Sequence, residues 1–511
     1  MSFLYDNIAP LAVAAVASVL VWVWGGAVGS SLVPVLPWLI ALMIEAVFFC
    51  PQRHRGESIY EARDRVWGTL GQSKIFWVTL GFLALLCVPF VNNGLCPSCD
   101  ATAIAQGVDA RPPLPVLPFC VDRMDHLAVV LGFATVLLSA LGVTFCLTRR
   151  GQRLVLSVII WNGVAVALLG FLQSALKAPG PYWTVLQETY QAEYFATFGY
   201  VNMAGDYFTL LFGLAAAMWC YQSERARRER KAMEEVERTV TSIRRSENFW
   251  KANYYLFPAA LFFFAALNTL SRAAIILVTM TACLYFFHVL VVRLSRMSES
   301  RRVTVGVWSA VAFLVVIFFA TVFMPNKIQR EVGSLSGKTV LDRMTGKAQY
   351  HSRVAASIWS DHLLFGCGGW GYQHLSVPKM QELKIGLNQL QDIGGANVHN
   401  DYLQFLCEHG LVGLFLLLAV VFLIVSPTFA QWKILAMVAR FKKSRHNPVP
   451  RPVHIFALPE SAFVILVACG ATFVHAFGDC PLRSVAISDV LLISLAALPG
   501  FMPREMPTLQ A

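Results

Sequence analysis

YYLFPAALFFFAALNTLSRAAIILVTMTACLYFFHVLVV, running from Tyr254 to Val292, decides the fold class. A bilayer crossing takes about 20 apolar residues, and this stretch is roughly twice that length, so it has to fold back on itself. Its polar cluster is Asn268, Thr269, Ser271 and Arg272. The tip of a hairpin therefore carries an arginine at a membrane boundary. In lipid the backbone must satisfy its own hydrogen bonds, so both arms are helices.

Working outward, the same reading applies to most of the chain. It is 57% hydrophobic and 14% charged, with a mean hydropathy of +0.58. Candidate spans fall at roughly 8–28, 30–50, 74–92, 126–147, 154–174, 204–221, 253–270, 273–292, 303–324, 410–427, 457–478 and 484–501. The expected fold is an all-α polytopic membrane protein with about 12 transmembrane helices. A periplasmic helical loop would join spans nine and ten. No ten-residue segment alternates with period two, which argues against an outer-membrane barrel. The opening MSFLYDNIAP holds no Lys or Arg, so the first span reads as a retained helix.

Basic residues orient the bundle. Arg53, Arg55, Arg63 and Arg65 follow span two; Arg149, Arg150 and Arg153 follow span four. Nine Lys/Arg lie between Arg225 and Lys251, and Arg293, Arg296, Arg301 and Arg302 follow span eight. A last group from Lys433 to Arg451 follows span ten. All come after even-numbered spans, so both termini are expected in the cytoplasm and loops 93–125, 175–203 and 325–409 outside. The net charge of +11 is mostly this topology signal, and no basic folded domain is long enough to suit a nucleic-acid role. Four regions result: N-terminal helices with a Cys-containing loop (1–125), a core with the Arg272 hairpin (126–324), a catalytic loop (325–409) and C-terminal helices (410–511). Cys96, Cys99, Cys120, Cys367 and Cys480 fall outside, where disulfides are permitted. Cys96-x-x-Cys99 lacks a second ligand pair at zinc spacing.

Three residues carry candidate chemistry. Arg272 reads as an anion ligand or as a snorkelling turn residue; a topological anchor would lie on the basic side instead. Arg353 sits in YHSRVAASIWSDHLLFGCGGWGYQH, on an amphipathic helix before a turn rich in glycine, Gly368 included. Its bland reading is a solvated arginine beside a surface loop. His399 opens HNDYLQFLCEHGLVG, at the junction of the polar loop and a span. A neutral imidazole there is either a general base or a hydrogen-bonded structural residue. Arginine holds phosphate bidentately and stays charged when partly buried. No Asp-x-Asp occurs, so a metal-bound nucleotide sugar is not the obvious donor. A lipid diphosphate leaves without a metal if cations neutralise it.

His399-Asn400, nine residues, Gly410, two residues, Gly413 resembles the ligase signature of the O-antigen ligase and O-antigen polymerase superfamily. NTLSRAA with Arg272 resembles its Ser-Arg-small segment, and Arg353 its arginine helix. FGYVNMAGDYFTLL, with Asn202, and HAFGDCPLRS, with Asp479 and Arg483, resemble two further segments, though Val201 stands where a proline is common. The resemblance implies a metal-independent, inverting membrane glycosyltransferase without cofactor, in a bacterial inner membrane. Its donor would be an undecaprenyl-diphosphate-linked glycan, and its acceptor lipid A-core or a growing polysaccharide. Arg272 and Arg353 would hold the diphosphate and His399 would activate the acceptor hydroxyl. Asn400, Asn202, Gly368, Asp479 and Arg483 would shape the substrate site. The leading expectation is a ligase. A polymerase of the same superfamily is the second reading, and a transporter or flippase without chemistry is the third.

Overall fold

The computed structural model describes residues 2–27, 31–92, 114, 117–184, 194–236, 250, 252–295, 304, 347–385, 397–444 and 458–503. Among them no strand occurs; Ala27–Ser484 and Phe195–Phe198 are isolated bridges. The N-terminal helices are α1 (Ser2–Trp22), α2 (Leu36–Met43), α3 (Ile59–Gln72) and α4 (Lys74–Cys87). The core follows as α5 (Arg123–Leu141), α6 (Arg149–Ala175), α7 (Val201–Val236), α8 (Leu256–Asn268) and α9 (Arg272–Ser295). Then come α10 (Lys347–Asp361), α11 (Gly371–Glu382), α12 (Asp401–Ser444), α13 (Glu460–His475) and α14 (Val485–Ala496).

Polar residues between the apolar runs start these helices. Ser58 and Glu61 form a reciprocal capping box on α3. Asp122, Thr148 and Ser484 accept from backbone N–H groups at the starts of α5, α6 and α14.

Twelve even spans are not what the described residues show. Five helices are long and apolar enough to cross: Arg123–Cys146, Arg149–Ala175, Val201–Glu229, Arg272–Val292 and Asp401–Leu435. The pair Ile59–Gln72 and Lys74–Phe90, bent by 69°, makes a sixth if taken as one. Five apolar helices of 10–17 residues complete the set. The difference is physical: hydropathy counts apolar residues whether or not they stay helical. The first run leaves the helix after Trp22 into a turn with Gly25 at φ +64°, and α8 stops at Asn268. The expected span at 303–324 lies outside the described residues apart from Thr304, as do Cys96, Cys99 and 325–346.

Helix α7 is the centre of the bundle. Of its apolar window 89% is buried in protein, against 22% for α12, which presents most of its surface outward. Small residues permit close approach. A Cβ on Gly213 would lie 2.2 Å from the Ala468 Cβ of α13, and one on Gly205 2.3 Å from the Ala274 Cβ of α9. These contacts set α9 and α13 against α7.

A second apolar core lies apart from the main one. It joins Phe119 and Val121 to Val354 and Ile358 of α10, Tyr372 and Met380 of α11, and Val398 and Cys407. Residues 347–385 thereby form a cap on the bundle. His126 ties it down: its Nε2 donates to the Leu86 carbonyl at 2.8 Å, and its Nδ1 accepts from Gly369 N at 2.8 Å. His374 meets Asp125 at 2.9 Å on the same side.

Gly410 sits inside α12 at φ +64°, ψ −171°, a region essentially reserved for glycine. A Cβ there would lie 2.3 Å from the Leu364 carbonyl carbon. Gly410→Ala is expected to cost about 1–3 kcal/mol from the backbone alone, and more from the clash. A folded, fully stable Gly410→Ala protein in detergent unfolding would contradict this.

Candidate functional site

The site forms where the starts of α7, α9 and α12 meet the end of α13. His399 precedes α12 in a left-handed conformation, φ +55°, which histidine tolerates better than most residues. Asn400 follows it, and its Oδ1 accepts from Leu403 N at 3.0 Å. Asn400, expected at the substrate, therefore caps α12, and the cap holds His399 at the helix mouth.

The His399 Nδ1 lies 3.1 Å from Asp479 Oδ1, with the imidazole exposed and the carboxylate buried. Asp479 is heavily bonded. Its Oδ2 accepts from the Tyr200 hydroxyl at 2.9 Å and from Asn202 Nδ2, and its Oδ1 from Cys480 N at 2.9 Å. Asn202 Nδ2 also reaches the Tyr200 oxygen at 2.6 Å. Burial pushes the Asp479 carboxyl up, but the His399 hydrogen bond and the neighbouring imidazoles outweigh it and hold it at about 2. The bond to Asp479 raises the His399 pKa above 6.5 against burial. With Nδ1–H given to the carboxylate, Nε2 keeps its lone pair for a proton.

Behind this pair lies another. His475 Nδ1 is 3.0 Å from Asp206 Oδ1, and Thr472 Oγ1 donates to Asp206 Oδ2 at 2.9 Å. The His475 Nε2 stands 4.0 Å from Asp479 Oδ2. Asp206, a carboxylate inside an apolar helix, is thus partnered. His351 of α10 presents its ring to His399, centroids 6.2 Å apart, and holds the Tyr372 hydroxyl at 2.8 Å.

Arg272 is the first residue of α9, after a turn in which Leu270 takes φ +59° and Ser271 Oγ accepts from Ala274 N. The Gly205 contact sets this tip beside the first turns of α7, one turn from Asn202. Arg353 lies on α10, two residues beyond His351, and is exposed. Arg483 is committed elsewhere. Its guanidinium meets the fully buried Glu408 at 2.6 and 3.2 Å and stacks 4.1 Å over Trp370. Gly368, at φ +83°, gives its N–H to the Glu408 carbonyl at 2.8 Å. A Cβ on it would lie 2.6 Å from the Phe119 carbonyl, so its close approach is to this chain's own backbone.

The sequence reading missed Glu408, Tyr200, His475 and His351. Glu408 carried a signal, since a carboxylate inside an apolar run needs a cation. The others become visible only when helices meet. Cys367 and Cys480 form no disulfide. The Cys367 sulfur lies 4.0 Å from that of Cys407, and burial pushes the Cys480 thiol well above its ordinary range. His399, Asp479 and Cys480 offer ligand atoms within 4.8 Å of one another, so a divalent ion is one possible occupant. Both Asp479 oxygens already accept hydrogen bonds, which lowers their capacity for one.

An apolar groove of about 310 Å³ opens beside the site. Asp401, Trp370 and Arg483 line its polar end, and Leu414, Leu418, Val421 and Leu491 continue it along α12 and α14.

No curated protein matches this chain. Residues 257–418 match the family model described as O-Antigen ligase, a segment that contains Arg272, Arg353 and His399 but not Asn202, Asp479 or Arg483. Over residues 257–418 the chain is similar to the O-antigen ligase family, and its long apolar helices are those of a polytopic membrane protein.

Proposed function

We propose that this protein moves a glycan from a lipid-diphosphate carrier, undecaprenyl diphosphate, to an acceptor hydroxyl on lipid A-core at the periplasmic face. The observation that carries the reading is the exposed His399 imidazole oriented by the buried Asp479 carboxylate. Nε2 takes the hydroxyl proton as the oxygen attacks the anomeric carbon. The bond from that carbon to the diphosphate breaks, and the leaving lipid diphosphate keeps the electron pair. A single displacement inverts the anomeric centre. Asp479 stabilises the imidazolium that forms.

Arg272 and Arg353 hold the departing charge in this reading. A cation at a helix N-terminus opposes the helix dipole, so Arg272 does nothing for α9 by itself. Together with the first-turn N–H groups it makes a receptor for phosphate. The apolar groove suits the carrier's hydrocarbon tail. Lysine at either position lacks the bidentate fork. Arg272→Lys and Arg353→Lys are each expected to lose about tenfold or more in transfer with normal membrane insertion, one charge-assisted hydrogen bond being worth about 1.5–3 kcal/mol. Wild-type rates in both would remove the diphosphate assignment.

The raised His399 pKa sets the pH dependence. Neutral His399 is the active form, so the acid limb of kcat/KM should lie above pH 6.5. Asp479→Asn removes the first cause of that shift, so the limb should move to lower pH while the maximal rate falls. The sign for stability is opposite in the two partners. The His399 contribution is full below 6.5 and fades as pH rises through its folded pKa. The Asp479 contribution is full above 3.8 and is lost as pH falls toward about 2. An unchanged acid limb in Asp479→Asn would show that another group titrates.

The test of the whole reading is in vitro transfer by purified protein, with a lipid-diphosphate glycan and EDTA. Lipid A-core is offered in one tube and only more donor in another. A single-step product on lipid A-core supports a ligase, and a ladder from donor alone makes the protein a polymerase. Activity that EDTA abolishes and zinc restores would place a metal on His399, Asp479 and Cys480 and end the metal-independent mechanism. No product in either tube from folded protein would move weight to another acceptor or to transport.

A further inference from the structure

Cys367 of the cap and Cys407 of α12 stand 40 residues apart in the chain, yet their sulfurs lie 4.0 Å apart in the fold. Both side chains are fully buried, in the second apolar core with Val354, Ile358 and Tyr372. Neither takes part in the chemistry above. The backbone around them builds their meeting. At Gly410 α12 breaks, and Leu411 N and Val412 N turn from the carbonyls four residues back to those of Leu363 and Leu364, each at 3.0 Å. The carbonyls of Cys407 and Glu408 lose their helical donors. Cys367 N and Gly368 N fill those places at 3.0 and 2.8 Å. Residues 363–368 are thus spliced into the helix by four backbone hydrogen bonds, with the two sulfurs at the splice.

This frame meets the requirement for a covalent link. Two cysteines can be bridged when their Cα atoms lie within about 7 Å of each other. The hydrogen bond from Cys367 N to the Cys407 carbonyl holds the two Cα atoms inside about 7 Å at any angle, by standard backbone dimensions. The Cys367 sulfur lies 2.5 Å from where a Cβ of residue 371 would stand, and the glycine there leaves it room to turn. As thiols the two groups gain little from each other, since S–H is a weak donor and sulfur a weak acceptor.

Both are free thiols in the structure. The pattern of basic residues puts 325–409 on the outer face, where disulfides persist. We propose that Cys367 and Cys407 form a disulfide that locks the cap to α12. The two sulfurs join and give up two electrons and two protons. The disulfide of a thiol oxidase takes them by exchange and leaves as a dithiol. The exchange takes place as the chain folds, before the cap shields the sulfurs. On the glycan reading, the bond joins the segment that carries Arg353 to the helix that His399 precedes.

The test is thiol mapping of the full-length chain in native membranes. The membranes are denatured with N-ethylmaleimide present, then reduced, alkylated with iodoacetamide and digested. Cys367 and Cys407 should both carry the second label. A digest made without reductant should hold their two peptides linked and lighter by two hydrogen atoms. N-ethylmaleimide on both residues, or either one linked to another cysteine such as Cys120, would overturn the proposal. Heat tests the lock. Reductant that opens the bond should lower the Tm of wild type by several degrees more than it lowers that of Cys407→Ala. Equal shifts in the two proteins, with mapping showing the bond open, would overturn the lock. Mapping needs neither activity nor a substitution, so its result is independent of the glycan reading.

Discussion

His399→Asn is expected to lower the rate of glycan transfer by about 10²–10⁴-fold, the range for removing a general base. Asparagine is the informative replacement. It tolerates the left-handed backbone that His399 adopts at φ +55°. It also retains a polar group toward Asp479. Local geometry is thereby kept while the ring nitrogen that takes the proton is gone. The side chain is 43% exposed, so its loss should leave insertion normal, while the lost hydrogen bond to the buried Asp479 should lower thermal stability modestly. The measurement is single-turnover transfer with saturating donor and acceptor, which reads the chemical step rather than binding. A rate within a few-fold of wild type would remove His399 from catalysis and make it a structural residue. A rate collapse accompanied by aggregation would say that the backbone at 399 needs more than a left-handed residue. Arg227→Gln is the matched control, since it lies at the far end of the bundle.

Glu408→Gln should produce the largest loss of stability, about 2–4 kcal/mol, because it leaves a partly buried guanidinium, 15% exposed, without its countercharge. Glu408 is fully buried, and its carboxylate receives both Arg483 nitrogens as well as Gln404 Nε2 at 3.0 Å. Its backbone carbonyl holds Gly368 N. One residue therefore connects α12, the cap and the loop that carries Asp479. Unfolding in detergent would measure the loss. The double variant Glu408→Leu, Arg483→Met tests the cause, since removing both charges should recover much of what either single change costs. Equal stability of Glu408→Gln and wild type would show that Arg483 finds water or another anion in its place. A loss of transfer in the stabilised double variant would mean that Arg483 serves the substrate as well.

Length and apolarity along the chain determine by themselves that this is a helical membrane protein, and the hairpin that presents Arg272 was legible the same way. Both follow from local rules: bilayer thickness sets run length, and polar residues punctuate the runs. The motif around His399 was legible because its spacing is local too. The number of full crossings was not, since hydropathy cannot tell an apolar helix from an apolar turn. Nor could the sequence say that Asp479 orients His399 across 80 residues, or that Arg483 belongs to Glu408 across 75. That Asn400 caps α12 and that Gly368 packs against the chain's own backbone was not legible either. Such roles depend on which helix ends meet, and small residues at Gly205 and Gly213 decide that by letting α9 and α13 close on α7. Side-chain chemistry is carried in the sequence, but the pairing that tunes each group is set by packing between segments far apart in the chain.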